Sequence, residues 1–197
     1  MTISEYKEKK KEILKRILKQ EEFHKHDVVR PEYCDRCRGA CCRSYPCHFS
    51  PDEFLKINDK EYMKKILDTG LFIIDEIDSL EGYFGKELLL YIRVRGIRDY
   101  IRDTKDYITK NTCILYDNKC LLNHSDRPAG GLLLLPGDLG FGLGICRQYY
   151  NDTDLKKDWL PYQDILKELK EEYGKKIERP KDIHKKVLEF KKGIRQQ

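Results

Sequence analysis

The chain has 197 residues, of which 40% are hydrophobic and 37% are charged, with a formal net charge of +5. This length predicts one domain, and the 13 Tyr, 7 Phe and one Trp exclude a chain that is disordered throughout. The longest wholly apolar run, residues 132–136, is far shorter than the about 20 residues that cross a bilayer.

The N-terminal third predicts two helices separated by a cysteine-rich loop. Residues 4–22 carry a narrow apolar stripe at helical spacing behind a capping box, which is typical of an amphipathic helix docked on the domain. Residues 31–51 lose this periodicity and contain five of the eight cysteines. Ser50, a following Pro and Glu53 form a helix-start signal, so one helix is predicted over residues 51–67.

The middle of the chain predicts β-structure. Two runs of β-branched and aromatic residues, 71–77 and 87–95, are typical of strands. Residues 112–122 predict a hairpin that turns at an Asp-Asn pair. Such a turn would bring Cys113 and Cys120 close to each other.

The C-terminal part returns to helix after a glycine- and leucine-rich stretch. One helix is predicted over residues 162–173 and ends before Gly174. Another is predicted over residues 181–192 and begins after Pro180. Helical segments therefore flank a middle that contains strands and cysteines.

The elements together predict an α+β fold with a small β-containing metal core and a cysteine-rich loop, framed by amphipathic helices at both termini. The predicted organisation is a single domain over residues 1–197. Within it, residues 28–151 form the cysteine-cluster core, and residues 1–27 and 155–197 form helical arms.

Cysteine usage predicts metal binding. The N-terminus is charged at almost every second position and has no apolar signal region, which predicts a cytoplasmic protein whose thiols stay reduced. A disulfide framework is the alternative, but an adjacent pair such as Cys41-Cys42 bridges to itself only with severe strain. The mild positive charge would offset thiolates and does not by itself indicate nucleic acid.

The spacing of the cysteines leaves the metal open. Cys34-x-x-Cys37 is knuckle spacing, and one ion or cluster takes about four thiolates. Only one such pair is present, which favours an iron–sulfur cluster slightly over Zn²⁺. Adjacent cysteines rarely both bind one small ion. The Cys41-Cys42 pair is therefore compatible with one metal that has a non-ligand thiol beside it, or with two neighbouring metals. The candidate metal ligands are Cys34, Cys37, Cys41, Cys42, Cys47, Cys113, Cys120 and Cys146.

Other side chains near the cysteines have candidate supporting roles. Four arginines could neutralise thiolate charge or could simply be surface residues: Arg36, Arg38, Arg43 and Arg147. Two histidines could replace a cysteine as ligand, although lone histidines are more often hydrogen-bonded surface residues: His48 and His124. Three tyrosines could line the site or cover it: Tyr45, Tyr149 and Tyr150.

Four motifs follow one another in the chain: CDRCRGACCR with PCHFSPDEF, LYIRVR, CILYDNKCLLNHSDRP and ICRQYY. Together they resemble the YkgJ-like cysteine-cluster family, described as zinc- or iron-chelating, over residues 33–150. The resemblance implies that seven cysteines occupy the family's cysteine positions and that Cys47 occupies one used by a subset. Many members place a cysteine just after the Arg-Pro dipeptide, whereas here a long segment precedes Cys146.

Besides a structural or redox metal centre, the sequence leaves two other functions open. A related cysteine cluster occurs in flagellin lysine methylase, and residues 138–144 match the D-x-G-x-G-x-G pattern of methyltransferase loops, which suggests a metal-assisted S-adenosylmethionine-dependent group-transfer enzyme. The simpler interpretation is a loop that brings Cys146 to the metal. A zinc module that binds nucleic acid through basic helices is the third hypothesis.

The sequence thus predicts a cysteine-cluster metal-binding protein and leaves open whether it is an enzyme. The expected partner is an unidentified protein or small molecule, with no membrane and with nucleic acid disfavoured.

Overall fold

A computed structural model describes residues 8, 11–13, 15, 16, 39–78, 88–100, 111–123, 126–136, 146–148, 150–173 and 179–195. Within these residues helices and strands are mixed, which confirms the α+β class. None of the helices in this part of the chain has the length and apolar character needed to cross a membrane.

One short α-helix of the described residues lies within residues 31–51, which the sequence predicts as a loop, and five more α-helices follow this segment. They are α1 (Ala40–Ser44), α2 (Lys60–Leu67), α3 (Ala129–Leu132), α4 (Asp152–Trp159), α5 (Gln163–Tyr173) and α6 (Ile183–Arg195). Residues 8, 11–13, 15 and 16, which belong to the first predicted helix, are also helical. The remaining residues of that predicted helix lie outside the described ranges.

The strands form three antiparallel pairs. They are β1 (Phe72–Asp78) with β2 (Leu88–Val94), β3 (Tyr116–Asp117) with β4 (Lys119–Cys120), and β5 (Leu134–Pro136) with β6 (Cys146–Gln148). The two predicted strands and the predicted hairpin are therefore confirmed. The hairpin turns at Asn118, whose φ of 54° lies in the left-handed region that Asn tolerates better than most residues.

The single helix predicted over residues 51–67 is wrong. Pro51–Glu53 forms only a 3₁₀ turn, which ends because Phe54 is extended at φ −98° and ψ 131°. The predicted capping box is present, since Ser50 N donates to Glu53 Oε2 over 2.8 Å. The same oxygen accepts from Ala129 N over 2.9 Å, so the buried Glu53 side chain ties the turn to α3.

The separate helix α2 has its own start. Asp59 accepts a hydrogen bond from Tyr62 N over 3.1 Å and caps the helix that begins at Lys60. An acidic residue in this position satisfies a backbone N–H that has no partner within the helix. The apolar positions of residues 51–67 therefore belong to two elements rather than one.

The C-terminal helices agree with the prediction except at their beginning. α5 and α6 correspond to the predicted helices over residues 162–173 and 181–192. Helix α4, however, starts at Asp152, before the predicted return to helix after Trp159. Asn151 and Asp154 form the capping box that begins it.

An aromatic core joins the sheet to the C-terminal helices. The ring centroids of Phe49 and Phe72 lie 5.2 Å apart, and those of Phe72 and Phe190 lie 4.5 Å apart. Trp159, which is fully buried, donates its Nε1 hydrogen to the Phe49 carbonyl over 2.9 Å. Phe49 lies two residues after Cys47, so the core fixes the end of the cysteine-rich segment.

Candidate metal centre

Four cysteines line one pocket with a volume of about 130 Å³. They are all the cysteines whose side chains the structure describes, and none of them is in a disulfide bond: Cys42, Cys47, Cys113 and Cys120. The sequence separates these residues by up to 78 positions. The fold thus brings together two cysteines of the N-terminal group and two of the hairpin group.

Strand β2 and the residues just after it position two of these cysteines. Val94 N donates to the Cys47 carbonyl over 2.9 Å, and His48 pairs with Arg93, so the segment around Cys47 runs antiparallel along β2. Gly96 pairs in the same way with Cys113. Cys47 and Cys113 are therefore held by the backbone of one continuous segment.

Cys42 reaches the pocket from α1. Its carbonyl accepts from Cys113 N over 2.7 Å. Gly39 precedes the helix with φ +63°, and a Cβ at this position would lie only 2.8 Å from Tyr116 Cε2. Only glycine combines this backbone conformation with such a close approach, so Gly39 allows α1 to lie against the hairpin.

Cys120 enters the pocket from β4. Its register partner is Tyr116, so Cys120 and Cys113 are not directly opposite each other in the hairpin. Tyr116 N donates to the Cys113 carbonyl over 3.0 Å, which folds the chain back between the two cysteines. Both cysteines nevertheless line the same pocket.

The surroundings of Cys120 favour the thiolate form of its side chain. A hydrogen bond from the Cys42 thiol and the nearby Arg127 guanidinium outweigh burial and lower the pKa of Cys120 to about 6. Leu122 N adds a backbone hydrogen bond in the same direction. A thiolate is the form of cysteine that binds metals and acts as a nucleophile.

His48 also lines the pocket, but its ring is held by a neighbouring carbonyl. Nε2 lies 3.2 Å from the Tyr150 carbonyl oxygen, and because a carbonyl only accepts, Nε2 carries the proton. Burial lowers the pKa of His48 to about 4, so the ring is neutral at physiological pH. Nε2 is thus engaged in this contact and does not point a lone pair at the cysteines.

The remaining walls of the pocket are mostly apolar. Leu115, Leu122 and Leu134 line it, and Tyr45, which is 74% exposed, stands at its rim. Helix α3 comes close enough that a Cβ on Gly131 would lie 3.2 Å from Cys47 Sγ. Low polarity around thiolates strengthens their electrostatic interactions with any bound cation.

The other predicted ligands are not described at the level of side chains. The backbone of Cys41 belongs to α1 and that of Cys146 begins β6, whereas Cys34 and Cys37 lie outside the described residues. Among the described side chains, no three from His, Cys, Asp and Glu are placed to hold one metal ion together. The donor chemistry of the pocket, with four thiols, matches soft metals, but the described thiols alone do not complete a site.

The structure describes only some of the predicted supporting residues. Arg43 is exposed and does not line the pocket, and Tyr150 is fully buried. Only the backbone of Arg147 is described. Four of the predicted residues lie outside the described ranges: Arg36, Arg38, His124 and Tyr149.

Arg127 is a charged residue of the pocket that the cysteine pattern does not indicate. It lines the pocket and hydrogen-bonds to Cys120. Arg127 belongs to the Arg-Pro dipeptide of the third motif, seven residues after Cys120, but this spacing by itself does not predict a contact between the two side chains.

The glycine-rich residues 138–144 lie outside the described ranges, but the strands on either side are described. β5 and β6 pair antiparallel, with Leu134 opposite Gln148 and Pro136 opposite Cys146. A cofactor loop of the doubly wound type would instead lead from a parallel strand into a helix. The flanking strands therefore do not have the arrangement that such a loop needs.

No protein-family model, curated protein or solved structure matches the chain. The resemblance to the cysteine-cluster family consequently stays a prediction.

Proposed function

We propose that this protein binds a transition metal through cysteine thiolates, either as an iron–sulfur cluster or as Zn²⁺, in a structural or redox role. The observation that carries the proposal is the convergence of Cys42, Cys47, Cys113 and Cys120 on one pocket. Thiolates are the ligands of iron–sulfur clusters and of structural zinc.

The remaining cysteines supply the rest of the ligand set in this proposal. Cys41 is adjacent to Cys42 in α1, and Cys37 is two residues before Gly39 in the sequence. Cys146 begins the strand that pairs with β5, whose Leu134 lines the pocket. Together with the four pocket cysteines these make seven thiols, which is enough for one centre of about four thiolates with further thiols beside it, or for two neighbouring metals.

The surroundings of the pocket favour a negatively charged centre. Arg127 supplies a fixed positive charge and a hydrogen bond at Cys120. Such hydrogen bonds to ligand sulfur, together with an apolar wall, tune the affinity and potential of metal–thiolate centres. The same features would be unusual around a patch of cysteines with only a packing role.

The experiment is metal analysis of the full chain purified under anaerobic conditions. We expect either iron with inorganic sulfide and a brown colour, or zinc in a colourless protein. Cys47→Ser and Cys113→Ser should each lower the affinity for that metal by more than about 100-fold, because even loss of an outer contact costs about 10–100-fold. Ser44→Ala, in α1 but outside the pocket lining, is the matched control and should retain the metal.

The proposal for this pocket is wrong if all four pocket cysteines can be replaced by serine, one at a time, without change in metal content. It is wrong for the whole chain if the wild-type protein holds neither iron nor zinc after anaerobic reconstitution with each.

A further inference from the structure

Two of the four pocket cysteines touch each other. The side chains of Cys42 and Cys120 are in hydrogen-bond contact, and both line the same pocket. Both residues are partly exposed to solvent, whereas Cys113 is buried. Because both side chains are partly exposed, small water-soluble reagents can reach this pair.

The backbone fixes the two sulfur-bearing segments against each other. Cys113 N donates a hydrogen bond to the Cys42 carbonyl, which holds Cys42 against the start of the hairpin. On the other side, Gly39 packs on the ring of Tyr116, which is the register partner of Cys120. Two sulfurs in hydrogen-bond contact on segments held in this way need mainly side-chain rotation to reach bonding distance.

We propose that Cys42 and Cys120 form a reversible disulfide, with a peroxide as the oxidant, when the pocket holds no metal. The sulfur of Cys120, against which Arg127 lies, attacks one peroxide oxygen, and the O–O bond breaks to give a sulfenic acid and hydroxide. The sulfur of Cys42 then attacks the sulfenic sulfur, which forms the S–S bond and breaks the S–O bond, and the sulfenic oxygen leaves as water. Two thiols are oxidised to one disulfide, and one hydrogen peroxide is reduced to two molecules of water.

This disulfide would regulate the pocket, and that consequence rests on the proposed metal-binding function. Oxidation withdraws two thiolates at once, so metal binding and disulfide formation compete for the same sulfurs. A bound metal should therefore protect the pair from peroxide, and a dithiol reductant should restore metal binding.

The experiment uses the full chain, stripped of metal under reducing conditions and then freed of reductant. A small excess of hydrogen peroxide should remove two of the eight thiols, and proteolysis without reduction should yield one cross-linked peptide pair joining Cys42 to Cys120. Dithiothreitol should return all eight thiols. In Cys47→Ser the same cross-link should form, whereas Cys42→Ser and Cys120→Ser should lose it.

The inference is overturned if the wild-type protein shows a different cross-link, or only sulfinic and sulfonic products at Cys42 and Cys120. Failure of the metal proposal is distinguishable, because the cross-link in metal-free protein does not require metal. A protein that forms the Cys42–Cys120 bond but binds neither iron nor zinc retains the disulfide and loses the proposed function. A protein that binds metal but never forms this bond retains the proposed function and loses the disulfide.

Discussion

Asp99 connects strand β2 to the chain that enters the cysteine pocket. Its carboxylate accepts hydrogen bonds from Arg93 Nη1 and Gly96 N, each over 2.6 Å, and from Asn111 Nδ2 over 3.0 Å. Asn111 N in turn donates to the carbonyl of Ser44, the last residue of α1. Burial raises the pKa of Asp99, but these donors outweigh it and hold the pKa below its usual value.

Replacing Asp99 with Asn should destabilise the protein by about 2 kcal/mol at neutral pH, because the partly buried carboxylate that pairs with the Arg93 guanidinium is lost. The folded pKa is depressed, so this stabilisation is present above the ordinary carboxyl pKa and is lost as the pH falls through the folded value. Urea unfolding across this range should therefore show the free energies of unfolding of the two proteins converging in acid.

The exposed Asp164 of α5 provides the matched control. Asp164→Asn should change the free energy of unfolding by about 0.5 kcal/mol or less. An Asp99→Asn variant as stable as this control at neutral pH would contradict the role given to the carboxylate.

At the scale of elements, α1 and the hairpin meet at Gly39. Gly39→Ala places a Cβ 2.8 Å from the Tyr116 ring and forces a non-glycine residue to adopt φ +63°. We expect a loss of about 1–3 kcal/mol in the free energy of unfolding, together with weaker metal binding, since Cys42 lies on α1. Thermal unfolding and metal titration check the two effects.

Gly39→Asn separates the two causes. Asn tolerates the left-handed region but has the same Cβ. If the backbone conformation dominates, Asn should be clearly less destabilising than Ala; if the contact with Tyr116 dominates, the two should be similarly destabilising. Wild-type stability in both variants would show that neither effect operates.

Asn151 is the N-cap residue of helix α4. Asn151 Oδ1 accepts from Thr153 N over 2.8 Å and from Asp154 N over 3.2 Å. Asn151→Ala should cost about 1 kcal/mol in the free energy of unfolding, whereas Asn151→Ser, which keeps an acceptor, should recover most of it. Equal unfolding midpoints for the Ala and Ser variants in chemical denaturation would refute the cap.

For the molecule as a whole, α6 shares the aromatic core with the segment that follows the cysteines. Phe190→Ala removes a ring that packs on Phe72 and Phe49, and should cost about 3–4 kcal/mol. If the chain is one domain, the variant should still unfold in one transition at a lower denaturant concentration, by fluorescence and circular dichroism alike. Leu188→Ala, 58% exposed on the same helix, should have little effect.

Two separate transitions in the wild-type protein, only one of which responds to Phe190→Ala, would instead show that the C-terminal helices fold apart from the cysteine core.

Most elements were predictable because their signals are local. The strands and the C-terminal helices follow from periodicity and from flanking Gly and Pro residues. The break after Glu53 could not be predicted in this way, because one of the partners of its carboxylate, Ala129 N, lies 76 residues further along the chain. Local capping chemistry starts a turn, but long-range contacts decide how far it continues.

The sequence predicts which residues form the candidate site but not which of their side chains touch. The spacing of the cysteines indicated which residues to expect, and four of them do line one pocket. Which thiols touch is set by the close packing of α1 on the hairpin at Gly39. The role of Arg127 likewise depends on α3 lying beside the pocket, which no pattern near Arg127 encodes.

The most direct test of a metal–thiolate centre is the metal content of the anaerobically purified wild-type protein, measured together with the number of thiols that react in the folded state. We expect iron or zinc bound in a fixed ratio to the chain, and pocket thiols that react only after the metal is removed. Protein that is folded, contains neither iron nor zinc after reconstitution, and exposes all eight thiols to reagent would contradict it.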